Sequence, residues 1–123
     1  ANYLKSTNDF LYIQWLNSRP LGATGASARI YVNTSNSLSG ASQVATYSMG
    51  AGNNIVMVRN FAIRSGALYG PNASVSLQQS GDISFVSGTT IDVTNPIYVL
   101  FAISTGLLTD TFQFEASSIN NAL

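Results

Sequence analysis

Apolar and polar residues alternate with period two through most of this chain, and no window long enough for an amphipathic helix shows a helical stripe. Every regular element is therefore expected to be a strand. In Ala28–Thr34 (ARIYVNT), Ala28, Ile30 and Val32 share one face while Arg29, Tyr31 and Asn33 share the other, the pattern of a half-buried strand. Phe112, Phe114 and Ala116 alternate in the same way with Thr111, Gln113 and Glu115. Leu11–Leu16 and Gln43–Met49 read as two further strands. Val75 and Leu77 alternate with Ser74, Ser76 and Gln78, and the short pieces Ile83–Val86 and Ile91–Val93 suggest a hairpin across Gly88, Thr89 and Thr90.

Turn-forming residues separate these runs. The stretches expected as connections are Asn17–Ser27 with Pro20, Gly22 and Gly25, then Ser35–Ser42, Gly50–Asn53 and Gly66–Asn72. Eight or nine short strands with such punctuation predict an all-β, two-sheet antiparallel sandwich of jelly-roll type. With 123 residues there is room for one domain. Residues 1–9 read as a polar N-terminal arm and residues 10–123 as the sandwich.

Two segments break simple alternation. Asn54–Ser65 (NIVMVRNFAIRS) carries Val56 and Val58 on one parity and Phe61 and Ile63 on the other, so a β-bulge near Arg59 and Asn60 is expected to bring both pairs to one face. Ile97–Ile103 (IYVLFAI) is apolar on both parities and is expected to be the most buried strand, in the sandwich centre or at a subunit interface.

Charge narrows the function. Asp, Glu, Lys and Arg make up 8% of the chain, five cations against five anions, where an ordinary soluble domain has roughly 25%. Ser, Thr, Asn and Gln occupy 44 of the 123 positions, so neutral hydrogen-bonding groups replace ions at the surface. Little electrostatic repulsion then keeps copies apart, which favours a chain that assembles with itself. The scattered cations Lys5, Arg19, Arg29, Arg59 and Arg64 form no basic run, so nucleic acid is not an expected partner. The apolar run 97–103 is far too short for a membrane-spanning helix, and residues 1–10 hold no apolar signal core.

The side chains offer little catalytic chemistry. The chain has neither His nor Cys, which removes the usual general base, the common nucleophile pairs and the ordinary zinc and copper ligand sets. Asp82, Asp92 and Asp110 stand beside turn residues, where Asp commonly bonds its own backbone, and no calcium-loop pattern is present. Gly50-Ala51-Gly52 is followed by neither a helix nor a Lys and is expected to be a strand connector, not a phosphate loop. No cofactor, no metal and no enzymatic activity are expected.

Partner contacts are expected from aromatic and Arg side chains. Leu68 and Tyr69, in the turn-rich stretch Ala67–Asn72, are candidates for a loop contact with another copy or a receptor. Arg59 and Arg64, on the long strand, could pair with Glu115 or Asp110 within the chain or across a subunit boundary, or lie in solvent at a bulge and a strand end. Tyr31 combines an apolar ring with a polar tip and completes the set.

The Gly- and Asn-rich turn leading into the long strand (GAGNNIVMVRNFAIRSG, residues 50–66) and the terminal strand with its short Asn-containing tail (TDTFQFEASSINNAL, residues 109–123) resemble those of small jelly-roll or tumour-necrosis-factor-like β-sandwich proteins of tailed-phage virions. These serve as capsid decoration (cement) proteins or fibre-tip modules. The resemblance implies a symmetric oligomer, such as a trimer, without catalysis, found in the virion and docked on capsid, tail or fibre. It transfers no site residue. Two alternatives come from other classes: a carbohydrate-binding or receptor-binding module that stacks glycans on exposed Tyr or Trp, and an extracellular filament subunit whose N-terminal arm joins a neighbour's sheet edge.

Overall fold

The computed structural model describes residues 9–21, 26–49, 55–71, 86–92, 94–105 and 111–121. They form two antiparallel sheets from eight strands: β1 (Asp9–Leu21), β2 (Ala26–Asn33), β3 (Ser42–Met49), β4 (Ile55–Arg64), β5 (Ala67–Pro71), β6 (Val86–Thr90), β7 (Tyr98–Thr105) and β8 (Thr111–Asn121). One sheet has the order β6-β5-β4-β1-β8 and the other β3-β2-β7. The first strand pairs with both β4 and the last strand, and the second with both β3 and β7. The all-β sandwich expected from the alternation is the fold.

The core lies between the sheets. Leu11, Ile13 and Trp15 of β1, Ala28, Ile30 and Val32 of β2, and Met57, Phe61 and Ile63 of β4 are buried together with Leu68 of β5. β2 is buried at every second residue, as its sequence predicts. The sheets meet where the Trp15 ring packs on Phe101 of β7, centroids 4.8 Å apart.

Several local expectations are corrected. β4 has no bulge, and its pairing with β1 runs unbroken from Asp9 opposite Ile63 to Asn17 opposite Ile55. Simple alternation buries Met57, Arg59, Phe61 and Ile63 and turns Val56 outward, so the strand accommodates a buried guanidinium instead of an extra residue. Register shifts occur elsewhere. Between Ile30 and Tyr31 the β3 partner jumps from Ala45 to Gln43, and both Val44 and Ala45 are buried. Between Leu16 and Asn17 the β8 partner jumps from Ala116 to Phe114, and a further irregularity lies between Ser18 and Leu21, beside Pro20, whose ring nitrogen cannot join the ladder.

The first strand is longer than its apolar run suggests, since β1 takes in Asp9 and continues through Asn17–Leu21. The expected loop therefore shortens, and Asp9 is a buried residue of the strand. Gly88–Thr90 do not turn a hairpin but form part of β6, paired with β5. The turn is Ser65-Gly66: both have positive φ (52° and 72°), which a two-residue type I′ connection requires, and Arg64 pairs with Ala67 across it. β7 is not the most buried strand. It pairs only with β2 among the described strands, and Val99, Phe101 and Ile103 are half-buried while Tyr98 is exposed. The expectations for the arm, residues 50–54, Val75, Leu77, Asp82, Ile83–Phe85, Val93 and Asp110 fall outside the described residues.

Candidate functional site

Burying Leu11, Ile13 and Trp15 forces Phe10, Tyr12, Gln14 and Leu16 onto the outer face of the five-stranded sheet, because successive side chains on a strand point to opposite faces. β4 does the same with Val56, Val58, Asn60, Ala62 and Arg64. The register sets these residues in rows across the sheet. Tyr69, Ala62 and Phe10 form one row, with Gly88 beyond Tyr69. Val56, Leu16 and Ala116 form another at the far end. Asn60 beside Tyr12, and Val58 beside Gln14 and Ser118, lie between them. Gln14 Nε2 donates to Tyr12 Oη at 3.4 Å.

The apolar members of this face are open to solvent: Phe10 is 46% exposed, Val56 49%, Leu16 39% and Tyr69 36%. Among the side chains described on it, Arg64 is the only charged one, and it sits at the end of β4. β4, β1 and β8 over the seven residues from Phe10 to Leu16 cover roughly 340 Å², taking about 4.8 Å per strand and 3.4 Å per residue. Exposed apolar patches of a few hundred Å² are about the largest a typical monomer carries and are often functional.

The expected contact residues divide between this face and the interior. Tyr69 and Arg64 lie on the face, though Tyr69 stands on β5 and not on a loop. Leu68 is the alternate residue of the same strand and is buried in the core, so its placement on an exposed loop is corrected. Arg59 lies opposite Ile13 with its side chain fully buried, at neither a bulge nor the surface. Its Nη1 donates to the Val58 carbonyl at 2.9 Å and its Nη2 reaches across the sandwich to the Thr46 carbonyl on β3 at 3.3 Å. Burial draws the guanidinium pKa down to about 10. Tyr31 is half-buried on the outer face of the smaller sheet, between Gln43 and Leu100. The sequence reading missed Phe10, Leu16 and Val56. The parity clash in β4 was the available signal, since leaving Val56 and Val58 outward was its other solution.

A small cleft of about 150 Å³ opens between the β2–β3 loop and residues 90–97, lined by Asn33, Thr34, Ser42, Ile91 and Asp92 among others. Its carboxylate is already engaged. Asp92 accepts from the Thr94 hydroxyl, the Thr94 backbone N–H and Asn95 Nδ2, bonds that hold its pKa below the ordinary carboxylate value in that order of effect. This is the turn-forming role its sequence position predicts. Asn33 closes the other side: its Nδ2 donates to the Ser37 and Ser39 carbonyls at 2.7 and 3.1 Å.

Among the described residues, no group of three or more acidic, His or Cys side chains is placed to hold a metal, and no helix is long and apolar enough to cross a membrane. No protein-family model, no curated protein and no solved structure matches this chain.

Proposed function

We propose that this chain is a non-enzymatic structural protein of a virion, a β-sandwich that assembles with its own copies and docks on capsid, tail or fibre, as decoration or cement proteins do. The outer face of the five-stranded sheet carries this reading: Phe10, Leu16, Val56 and Tyr69 are solvent-exposed on a surface whose one described charge, Arg64, lies at its end. Such a face gains from being covered by another polypeptide, and its one described cation makes no basic patch for a polyanion. Docking through apolar rings and neutral hydrogen bonds depends little on salt. The virion setting rests on the resemblance of residues 50–66 and 109–123.

Protein mass spectrometry of density-purified particles from the source organism tests the proposal. Many copies per particle are expected, together with genes for terminase, portal and capsid proteins beside this one. A chain missing from particles and encoded away from such genes overturns it. Glycan-array binding lost in Tyr69→Ala would favour the carbohydrate-binding alternative, which the exposed Tyr69 ring, flanked by Ala62 and Gly88, keeps specific.

A further inference from the structure

The two sheets differ in width, and the difference falls beside β8. In three successive rows Ile13, Trp15 and Asn17 of β1 are buried, while their inner-face partners on β8, namely Ile119, Ser117 and Phe114, are exposed. The rings show where the cover thins: Phe101 of β7 packs on Trp15 at 4.8 Å and also meets the edge of the Phe114 ring, centroids 6.3 Å apart. Phe114 is 56% exposed and Ile119 45%, although both are on the side of the sheet that faces the core. Among the described strands β7 thus covers β1 and touches β8 through the Phe101–Phe114 pair, and the rest of the inner face of β8 projects past it as a step about one strand wide. Among the described strands the edge beside the step is β7, whose sequence YVLFAIST holds none of the Lys, Pro or inward charges that normally blunt an edge.

From this geometry we infer that a second copy of the chain fills the step with its own β8. A two-fold axis along the strands, midway between the layers, turns the second copy over and sets its β8 across from the first β8 and next to β7. The same operation sets the first β8 next to the second copy's β7. Each layer becomes continuous across the dimer, and Phe114 and Ile119 of both copies meet across the roughly 10 Å that separates packed sheets. The contact is self-complementary, as a two-fold interface requires. Joining β7 edge to β7 edge in one sheet is excluded by the overhang, because each β8 would then fall on the other copy's β1. The lap joint leaves the outer face of the five-stranded sheet open for docking.

This inference rests on the reading of the chain as self-assembling, and the test separates the two. The chain has no Cys, so Ile119→Cys supplies a unique thiol for a short bis-maleimide, with Val56→Cys on the outer face as comparison. The expected result is a covalent dimer for Ile119→Cys and little for Val56→Cys. Phe114→Lys, at a site solvated in the single copy, is expected to keep its far-UV dichroism and weaken dimerisation at least about tenfold in sedimentation equilibrium. If the chain dimerises but Ile119→Cys fails to cross-link and Phe114→Lys leaves the mass unchanged, the lap joint is overturned and self-assembly stands. A wild-type chain that stays a single copy at millimolar concentration overturns both.

Discussion

The Phe61 ring occupies the space in which a side chain on Gly70 would lie: a Cβ placed on Gly70 falls 2.6 Å from Phe61 Cδ1 and 3.3 Å from the Asn60 carbonyl oxygen. Phe61 is a fully buried member of the core, so the ring has little room to retreat. Gly70→Ala is expected to lower stability by about 1–3 kcal/mol, the cost of overpacking a close-packed site. Urea denaturation measures it, and Phe61→Leu in the Gly70→Ala background is expected to recover part of the loss.

The Ser65-Gly66 turn gives a prediction of opposite sign. Ser65 holds a left-handed conformation that Asn tolerates better, and Asn-Gly is the preferred type I′ pair. Ser65→Asn is expected to add a few tenths to about 1 kcal/mol. Gly66→Ala, at φ 72°, is expected to cost about 1 kcal/mol or more. Thermal melts of both variants check the pair.

Arg59 tests whether a forked donor or merely a cation is needed in the core. Its two Nη atoms serve carbonyls on different sheets, Val58 on β4 and Thr46 on β3. A Lys has a single ammonium on a shorter stem and cannot reproduce that fork, so Arg59→Lys is expected to cost about 1–3 kcal/mol. Arg59→Ala also leaves a cavity and is expected to cost about 3 kcal/mol or more. Equal losses in the two variants, measured by denaturant titration, would contradict the bridging role.

These three sites mark where the sequence was and was not readable. β2 was legible because its buried parity is all apolar and its outward parity all polar or amphipathic. β4 was misread because an Arg counts as an outward residue in any hydropathy pattern, whereas here carbonyl partners across the sandwich hold it inside. β5 looked like loop because Gly70-Pro71 resembles a turn, yet Gly70 is a strand residue lying against Phe61. β7 was expected to be the most buried strand, in the sandwich centre or at a subunit interface, because it is apolar on both parities, a pattern that does not report how many neighbours a strand pairs with. Of the expected contact residues, Tyr69 and Arg64 are on the outer face. Phe10, Leu16 and Val56 became visible as contacts only once the register aligned them.

The pH dependence follows from two shifted groups and the absence of His. Asp92 has a folded pKa below the ordinary 3.8, so its turn contributes stability above that value and loses it as pH falls through the lowered one. Burial holds the folded pKa of Arg59 at about 10, well below its ordinary value. Below pH 10 both folded and unfolded chains keep that charge, so its burial cost is constant, and the cost is relieved only as pH rises above about 10 towards the ordinary guanidinium value. With no His to titrate between, the melting temperature is expected to stay nearly flat from about pH 5 to 9. A step of several degrees near pH 6.5 would contradict this.

Mass in solution addresses the central claim of a self-assembling sandwich most directly. Sedimentation equilibrium from micromolar to millimolar concentration, repeated at low and at molar salt, is expected to give a multiple of 13.0 kDa with little dependence on ionic strength. A single 13.0 kDa species throughout the range, or association that melts away with added salt, would contradict it.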